Sequence, residues 1–247
     1  MLYRTLLPFL VVILLFPACS EEKPGPSPTG PEKAGTRESS PPPRPAPPRA
    51  HQPRKKAVLD LAEYGPTPVV ELHTSQGVIE LALDAGKAPK TVQTFLSYCL
   101  DRFYVGTLFH RVVKGFCIQG GGKIKGSGED LVTKPPTYEN IPSEADNGLP
   151  QKRGAVLMSR RRSDPDSATC QFFILLKDQV SKQPRPGQRK RKSPRYTIFG
   201  RVARGMEVVD RIAALPLEPY KKSQLKEPPL IQEVVVRKSA VGPEKVK

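Results

Sequence analysis

The stretch FHRVVKGFCIQGG, residues 109–121, decides the fold of this chain. Two short apolar runs flank Lys114 and Gly115, a pair that favours a tight turn, so the stretch predicts a β-hairpin. Arg111 and Gln119 are polar residues inside these apolar runs. Because a polar group in apolar surroundings is costly without a partner, these two side chains either hydrogen-bond each other or face a ligand.

A second stretch, CQFFILL at residues 170–176, predicts a strand with two different faces. Side chains alternate along a strand, which places Gln171 and Phe173 on one face and Phe172 and Ile174 on the other. The face with Gln171 therefore combines an amide and an aromatic ring, and the same combination occurs in the hairpin.

The composition limits the folded part of the chain and its chemistry. The chain has 247 residues, a net charge of +16 and 29 prolines, which concentrate between residues 24 and 53. The charge suits an anionic surface, or it keeps an exported protein soluble. There are three histidines and four cysteines without CxxC spacing, so we expect neither a metal site nor a cofactor. The cysteines are Cys19, Cys99, Cys117 and Cys170.

Residues 1–18 have the layout of a bacterial signal peptide. An early arginine precedes the apolar run 6–16, which is too short to span a membrane as a helix. Cys19 follows directly, and this arrangement resembles the lipobox of bacterial lipoproteins, in which the cysteine is acylated. Phe16 and Pro17 depart from that motif, and the alternative is an ordinary signal peptide with an incidental cysteine.

The segment after Cys19 predicts a tether. Residues 20–56 consist mainly of Pro, Ser, Gly, Glu, Lys and Arg, a composition that cannot bury enough apolar surface to fold. The prediction for the whole chain is a signal peptide (1–18), a lipidated cysteine with a disordered tether (19–66), a folded domain (67–238) and a disordered tail (239–247).

The pattern of the folded part favours a mainly β protein. Several short strands and two helices indicate an antiparallel barrel or sandwich. We expect strands at 69–74, 77–83, 154–159, 196–202 and 231–237 besides the two stretches above, helices at 88–100 and 205–215, and an exposed loop at 120–130.

The polar residues exclude several kinds of catalysis. No Ser-His-Asp set, paired carboxylates or glycine-rich phosphate loop is evident, and His110 is interpreted as structural. What remains is a guanidinium, an amide and several aromatic rings. This set suits rotation about an X-Pro bond, whose barrier of about 18–20 kcal/mol arises from amide resonance and needs no nucleophile. A guanidinium donor directed at the prolyl nitrogen would favour the twisted amide.

Both stretches resemble the cyclophilin family of peptidyl-prolyl isomerases, and the resemblance covers residues 69–236. It implies a closed eight-stranded antiparallel barrel capped by two helices. It also implies that Arg111 is the catalytic arginine and that Gln119 steadies it and the substrate carbonyl. The substrate-binding residues that it implies are Phe116, Cys117, Ser159, Arg160, Gln171, Phe173 and Tyr196.

One segment departs from the family pattern. Residues 178–195, DQVSKQPRPGQRKRKSPR, replace a short segment that usually closes the proline pocket. This basic insertion is either a solvated loop or a site for anionic polymer or lipid. Cys117 and Cys170 are left as a possible disulfide.

Three functions remain open at this point. The first is a monomeric, membrane-tethered isomerase of the bacterial cell envelope that acts on proline-containing polypeptides and has no specific nucleic-acid partner. The second is a non-catalytic module that binds proline-containing peptides. The third is a protein that binds anionic polymer through the basic insertion.

Overall fold

Eight antiparallel strands in one curled sheet form the framework of the protein. The computed structural model describes residues 59–128, 130–179 and 196–239. Several predicted segments lie outside these ranges: the signal peptide, Cys19, most of the tether, residues 180–195 of the basic insertion and the tail after residue 239. In the ranges described, no helix is both long and apolar enough to cross a membrane.

Apart from two short strands within 123–133, the elements follow the expected order along the chain. The strands are β1 (Val69–Thr74), β2 (Gly77–Leu83), β3 (Phe109–Val113), β4 (Cys117–Gly120), β5 (Lys123–Lys125), β6 (Leu131–Thr133), β7 (Ala155–Met158), β8 (Phe172–Leu175), β9 (Ile198–Arg204) and β10 (Ile231–Arg237); the helices are α1 (Pro89–Leu100) and α2 (Met206–Ala214). Pro89 begins α1, where a backbone N–H is not needed.

The main sheet has the strand order β10-β1-β2-β9-β7-β8-β4-β3, and all of its pairs are antiparallel. Its two edge strands meet at the start of β3. Leu108 bridges Leu230, and the backbone N–H of Phe109 donates to the Pro229 carbonyl at 2.9 Å. The mainly β fold with eight strands and two helices is confirmed. The contact between the edges is local, in place of a continuous ladder between β3 and β10.

The interior of the curled sheet holds a continuous apolar core. Phe172 is fully buried there, with edge-to-face contacts to Phe95, Tyr104 and Phe109. The strand β7 (AVLM) is buried along its whole length, because both of its faces are covered. A second apolar cluster on the outer face of the sheet provides that second cover.

Ordered structure begins earlier than the predicted boundary at residue 67. Residues Leu61–Glu63 form a short 3-10 helix, and the Asp60 carboxylate caps it through the Ala62 N–H at 2.9 Å. Tyr64 packs against the core, and its carbonyl accepts hydrogen bonds from the N–H and hydroxyl of Ser239. Residues 59–66 are therefore ordered, and Ser239, which follows β10, holds them by hydrogen bonds.

The segment 120–130 is also more ordered than expected. Strand β5 lies within it and pairs with β6 to form a separate two-stranded sheet. Lys123 Nζ donates to Thr133 Oγ1 at 2.6 Å across this pair. The expectation of a simple exposed loop was wrong, because glycines and charged residues gave no strand pattern although the segment contributes one strand to a short hairpin.

Glu144 holds the N-terminus of α1, and its removal is expected to destabilise the protein. Its carboxylate accepts hydrogen bonds from the N–H of Lys90 at 3.1 Å and from the N–H and hydroxyl of Thr91 at 2.9 and 2.6 Å. Because a side-chain cap is worth about 0.5–2 kcal/mol, Glu144→Ala should lower the free energy of unfolding by about that amount in urea titrations. The exposed Glu139→Ala is the control; an equal loss in both variants would contradict the capping role.

Candidate functional site

A row of paired residues crosses five strands on the outer face of the sheet. Arg111 of β3 pairs with Gln119 of β4, and Gln119 pairs with Phe173 of β8. Phe173 pairs with Leu157 of β7, and Leu157 pairs with Ile198 of β9. Since paired residues in a sheet share a face, the row brings a guanidinium and an amide beside an apolar wall.

Gln119 connects the polar side chains at one end of the row. Its Oε1 accepts a hydrogen bond from Arg111 Nη1 at 3.1 Å. Its Nε2 donates to Ser159 Oγ at 3.1 Å and to Gln171 Oε1 at 2.9 Å. The amide orientation that accepts from Arg111 is thereby specified by two other side chains, and Arg111, although exposed, has a defined anchor.

Three aromatic rings continue from this polar end. The Phe116 and Phe173 centroids lie 6.0 Å apart, and the Phe173 and Tyr196 rings meet edge to face at 5.1 Å. The Arg160 guanidinium lies over the Tyr196 ring at 5.0 Å, and its Nη1 donates to the carbonyls of Arg161 and Arg162. Phe116 and Tyr196 are half-buried, so this wall remains partly open to solvent.

Cys117 belongs to the same apolar cluster but lies beneath its surface. It is 2% exposed, and burial raises the pKa of its thiol to about 11, so the group stays neutral at ordinary pH. The Phe116 and Tyr196 rings are more exposed than this thiol. Cys117 therefore shapes the wall from below, whereas the two rings offer surface to a ligand.

Gln171 reaches Gln119 because Gly122 leaves room for it. A Cβ atom at Gly122 would lie 2.3 Å from Gln171 Cγ, well inside contact distance. Any larger residue at position 122 would displace Gln171 and disturb the network around Gln119. Gly122 follows the QGG motif, but the reason for a third glycine is visible only in the fold.

The basic insertion is anchored at its start. The Asp178 carboxylate accepts a hydrogen bond from the Arg153 N–H at 2.8 Å, and the Gln179 N–H donates to the Gln151 carbonyl at 2.8 Å. The described chain resumes at Tyr196, whose ring is part of the aromatic wall. The insertion therefore starts beside the residues that precede β7, and the chain that follows it begins in the aromatic wall.

The geometry rules out a disulfide between Cys117 and Cys170. Cys117 pairs across the sheet with Leu175, five residues along the chain from Cys170. At about 3.3 Å per residue this is a separation of about 16 Å, far beyond the roughly 4.4–6.8 Å that a disulfide allows between Cα atoms. Both cysteines are free and buried, in separate clusters.

His110 is the extra residue of a bulge in β3. Phe109 pairs with Gly120 and Arg111 with Gln119, which leaves His110 without its own partner in β4. The bulge breaks the alternation, so Phe109 and His110 are both buried and Arg111 is exposed. His110 borders a cleft together with Arg111, although simple alternation predicts opposite faces.

Burial lowers the pKa of His110 from 6.5 to about 4, and the positive charges of Lys123 and Arg111 act in the same direction. Between these two values the unfolded chain binds a proton that the folded protein does not, so stability should fall as the pH falls from 6.5 towards 4. His110→Gln should make this fall smaller, as urea unfolding above pH 6.5 and close to pH 4 would show. An unchanged pH dependence would assign the loss to other groups.

Sequence reasoning missed the apolar half of the wall. Ala155, Leu157 and Ile198 are buried on the outer face, in the cluster of Phe173. Their strands carry apolar residues on both faces, which for a sheet in a small domain signals that something covers the outside. That signal is present in the run AVLM, which is interpreted above only as a strand.

Comparisons with known proteins identify the family of this chain. Residues 69–237 match the family described as cyclophilin type peptidyl-prolyl cis-trans isomerase/CLD. The chain is 42% identical over 190 residues to peptidyl-prolyl cis-trans isomerase A of Dickeya dadantii, covering 73% of this chain and 94% of that protein. It is 41% identical over 148 residues to peptidyl-prolyl cis-trans isomerase B of Escherichia coli, covering 58% and 83%.

A solved structure shares the fold. The cyclophilin type peptidyl-prolyl cis-trans isomerase of Cryptosporidium parvum superposes with a TM-score of 0.55 at 23% identity, covering 72% of this chain and 99% of that one. The family match spans more than half of the chain, and its bounds are close to those of β1 and β10. This chain therefore belongs to the cyclophilin family of peptidyl-prolyl cis-trans isomerases.

Proposed function

We propose that this protein accelerates cis-trans isomerisation of X-Pro bonds in exported proteins and so assists their folding in the bacterial cell envelope. The observation that carries the isomerase activity is the position of Arg111. Its guanidinium is exposed, is anchored by Gln119 at 3.1 Å, and stands at the end of a row whose other members form an apolar wall. Relatives that are 41–42% identical are named for the same activity.

The reaction requires a twisted amide, and each part of the site has a role in favouring it. The prolyl ring packs against Phe116, Phe173 and Tyr196, which immobilises one side of the bond. The Arg111 guanidinium donates to the prolyl nitrogen as resonance is lost, while Gln119 keeps that guanidinium in place. A donor that bonds more strongly in the twisted state than in either planar isomer lowers the barrier.

The peptide backbone beside the proline lies along the polar end of the site. Gln171 and Ser159 hydrogen-bond Gln119, and Arg160 follows in sequence with its guanidinium over Tyr196. The Arg160 backbone and the Gln171 amide then hold the residues before the proline. The structure of the Cryptosporidium parvum relative was also determined in the presence of the dipeptide Ala-Pro, which is consistent with a proline-containing ligand for this chain.

Refolding of a protein whose slow phase is limited by proline isomerisation tests the activity directly. Uncatalysed exchange takes about 10–100 s at 25 °C, so a catalytic amount of the isomerase should shorten that phase visibly. An unchanged refolding rate would overturn the proposal. If the rate is unchanged while a proline peptide still binds, as peptide chemical shifts would report, the non-catalytic binding module replaces it.

The location in the envelope rests on sequence features outside the described residues. The apolar run 6–16 and Cys19 support export and acylation, and the proline-rich segment that follows supports a spacer between the membrane and the domain. Mass spectrometry of the mature N-terminus should find an acylated Cys19 after removal of residues 1–18. A mature N-terminus at another residue, without a lipid, would overturn the anchor and leave the isomerase proposal standing.

A further inference from the structure

A second cleft lies beside Arg111, next to the proline site. Its volume is about 370 Å³, and it opens to solvent. Arg111 belongs to both sites, so a ligand in this cleft and a proline on the aromatic wall would lie on neighbouring surfaces. The cleft is lined by His110, Arg111, Lys123, Leu131, Lys221, Lys222, Ser223 and Gln224.

The lysines of this cleft are held there by backbone hydrogen bonds. The segment that follows Lys221 and Lys222 runs along β3. The Val112 N–H donates to the Ser223 carbonyl at 2.8 Å, and the backbones of Gln224 and Arg111 form an isolated antiparallel β-bridge. Lys123 enters from β5 on the other side, where its Nζ donates to a threonine hydroxyl. The three lysines therefore come from two elements that the fold brings to one place.

The charge of this cleft is entirely positive. Of the eight described residues that line it, four are cationic and none is acidic. Within the described part of the chain, no carboxylate forms an ion pair with Lys123, Lys221 or Lys222. His110 is neutral at ordinary pH because it is buried, so it adds no charge but offers a polar ring. Because the described residues supply these cations with no ion-paired carboxylate, the cleft attracts an anion.

The position of the cleft indicates which anion it would meet. A client chain that crosses Arg111 with its proline on the aromatic wall continues past this residue. An extended chain advances about 3.3 Å per residue, so a side chain within a few residues of the proline reaches the lysines. The ligand is then a carboxylate carried by the same polypeptide.

We propose that this cationic cleft is a subsite for an acidic side chain of the client, which makes the enzyme favour prolines that have Asp or Glu a few residues away. The inference rests on the proposed isomerase activity, since it places both sites on one substrate chain. Its lysines lie outside the row of Arg111, Gln119 and Phe173, so the selectivity can change while the reaction at proline continues.

The experiment compares short peptides with one central proline and a single Glu or Gln at each position on either side. Exchange between isomers is measured by NMR line broadening. Surface charge pairs are worth roughly 1 kcal/mol or less each, so two or three lysines should raise kcat/KM for the best Glu peptide about three- to tenfold over its Gln partner. About 1 M salt, where the screening length is about 3 Å, should remove the difference.

Charge-removal variants assign the preference to the cleft. Lys221→Gln with Lys222→Gln should bring the Glu-to-Gln ratio close to one. Lys87→Gln with Lys238→Gln removes the same charge from exposed positions that do not line the cleft, and it should retain the preference. Equal rates for Glu and Gln peptides in the wild type, or an equal loss of preference in both double variants, would overturn the subsite.

Two further outcomes separate this inference from its rivals. If no peptide is isomerised, the proposed activity fails. The cleft is then tested by binding of the Glu and Gln peptides, which the amide chemical shifts of residues 221–224 would report. If vesicles of anionic lipid or a polyphosphate bind through Lys221 and Lys222 while the Glu peptide does not, the subsite is overturned in favour of a different ligand.

Discussion

Arg111→Ala is expected to lower kcat/KM for X-Pro isomerisation by about 100- to 1,000-fold and to leave the protein folded. The side chain is exposed and is anchored through Gln119, so its removal leaves no cavity in the core. The lost interaction is a donor directed at a nitrogen that becomes more basic as the amide twists. Such an interaction acts chiefly in the transition state, so kcat should fall more than substrate affinity.

Arg111→Lys separates the charge from the shape of the donor. An ammonium retains the positive charge but lacks the planar fork that allows one N–H to bond Gln119 while others face the substrate. We expect a kcat/KM between that of the wild type and that of the alanine variant. The measurement is exchange in a proline peptide by NMR, together with circular dichroism to confirm the fold.

Lys114→Ala is the matched control for Arg111. It removes an exposed positive charge from the same hairpin, at the turn between β3 and β4. Its kcat/KM should stay close to that of the wild type. If Arg111→Ala also stays close to the wild type, then the guanidinium does not carry the reaction, and the proposed mechanism is wrong.

Phe172→Ala is expected to produce the largest loss of stability, about 3–5 kcal/mol in the free energy of unfolding. The ring is fully buried at the centre of the sheet interior and contacts three other aromatic rings edge to face. Its removal leaves a cavity that these rings cannot fill without leaving their own positions. Urea unfolding with an unchanged slope would measure this loss.

Phe173→Ala, one residue further along β8, should have the opposite balance of effects. Phe173 lies on the outer face in the smaller cluster, between Phe116 and Tyr196. Its loss should destabilise the protein less than that of Phe172 but should lower the activity of the folded molecules more, since the proline loses its wall. Equal activity per folded molecule in both variants would show that the outer face does not bind the substrate.

These neighbours also show what local sequence predicts well. Alternation in CQFFILL was enough to assign Phe172 and Phe173 to opposite faces, and the register of β8 agrees. The hairpin at β3 and β4 follows equally from two apolar runs around Gly115, which has a positive φ of 69°. Local patterns succeed here because the pleat and the tight turn involve only adjacent residues.

The sequence-based predictions fail where segments that are distant in the chain contact each other. Residues 59–66 resembled the end of the tether, yet Tyr64 is held by Ser239, 175 residues away. The lysines at 221 and 222 belong to no motif in the sequence, and only the hydrogen-bonded position of their segment beside β3 places them next to Arg111. A contact of this kind leaves no periodic signal in either segment.

The order of the helices and of the strands in the main sheet, the two faces of β8 and the polar residues at 111 and 119 were determined by the sequence alone. Each depends on alternation or on turn residues close in the chain. Only the tertiary structure decided that Arg111, Gln119, Phe173, Leu157 and Ile198 form one row. Pairing between strands that are distant in the chain sets the cross-strand register, and that register joins residues from five separate strands into a single surface with a polar end and an apolar end.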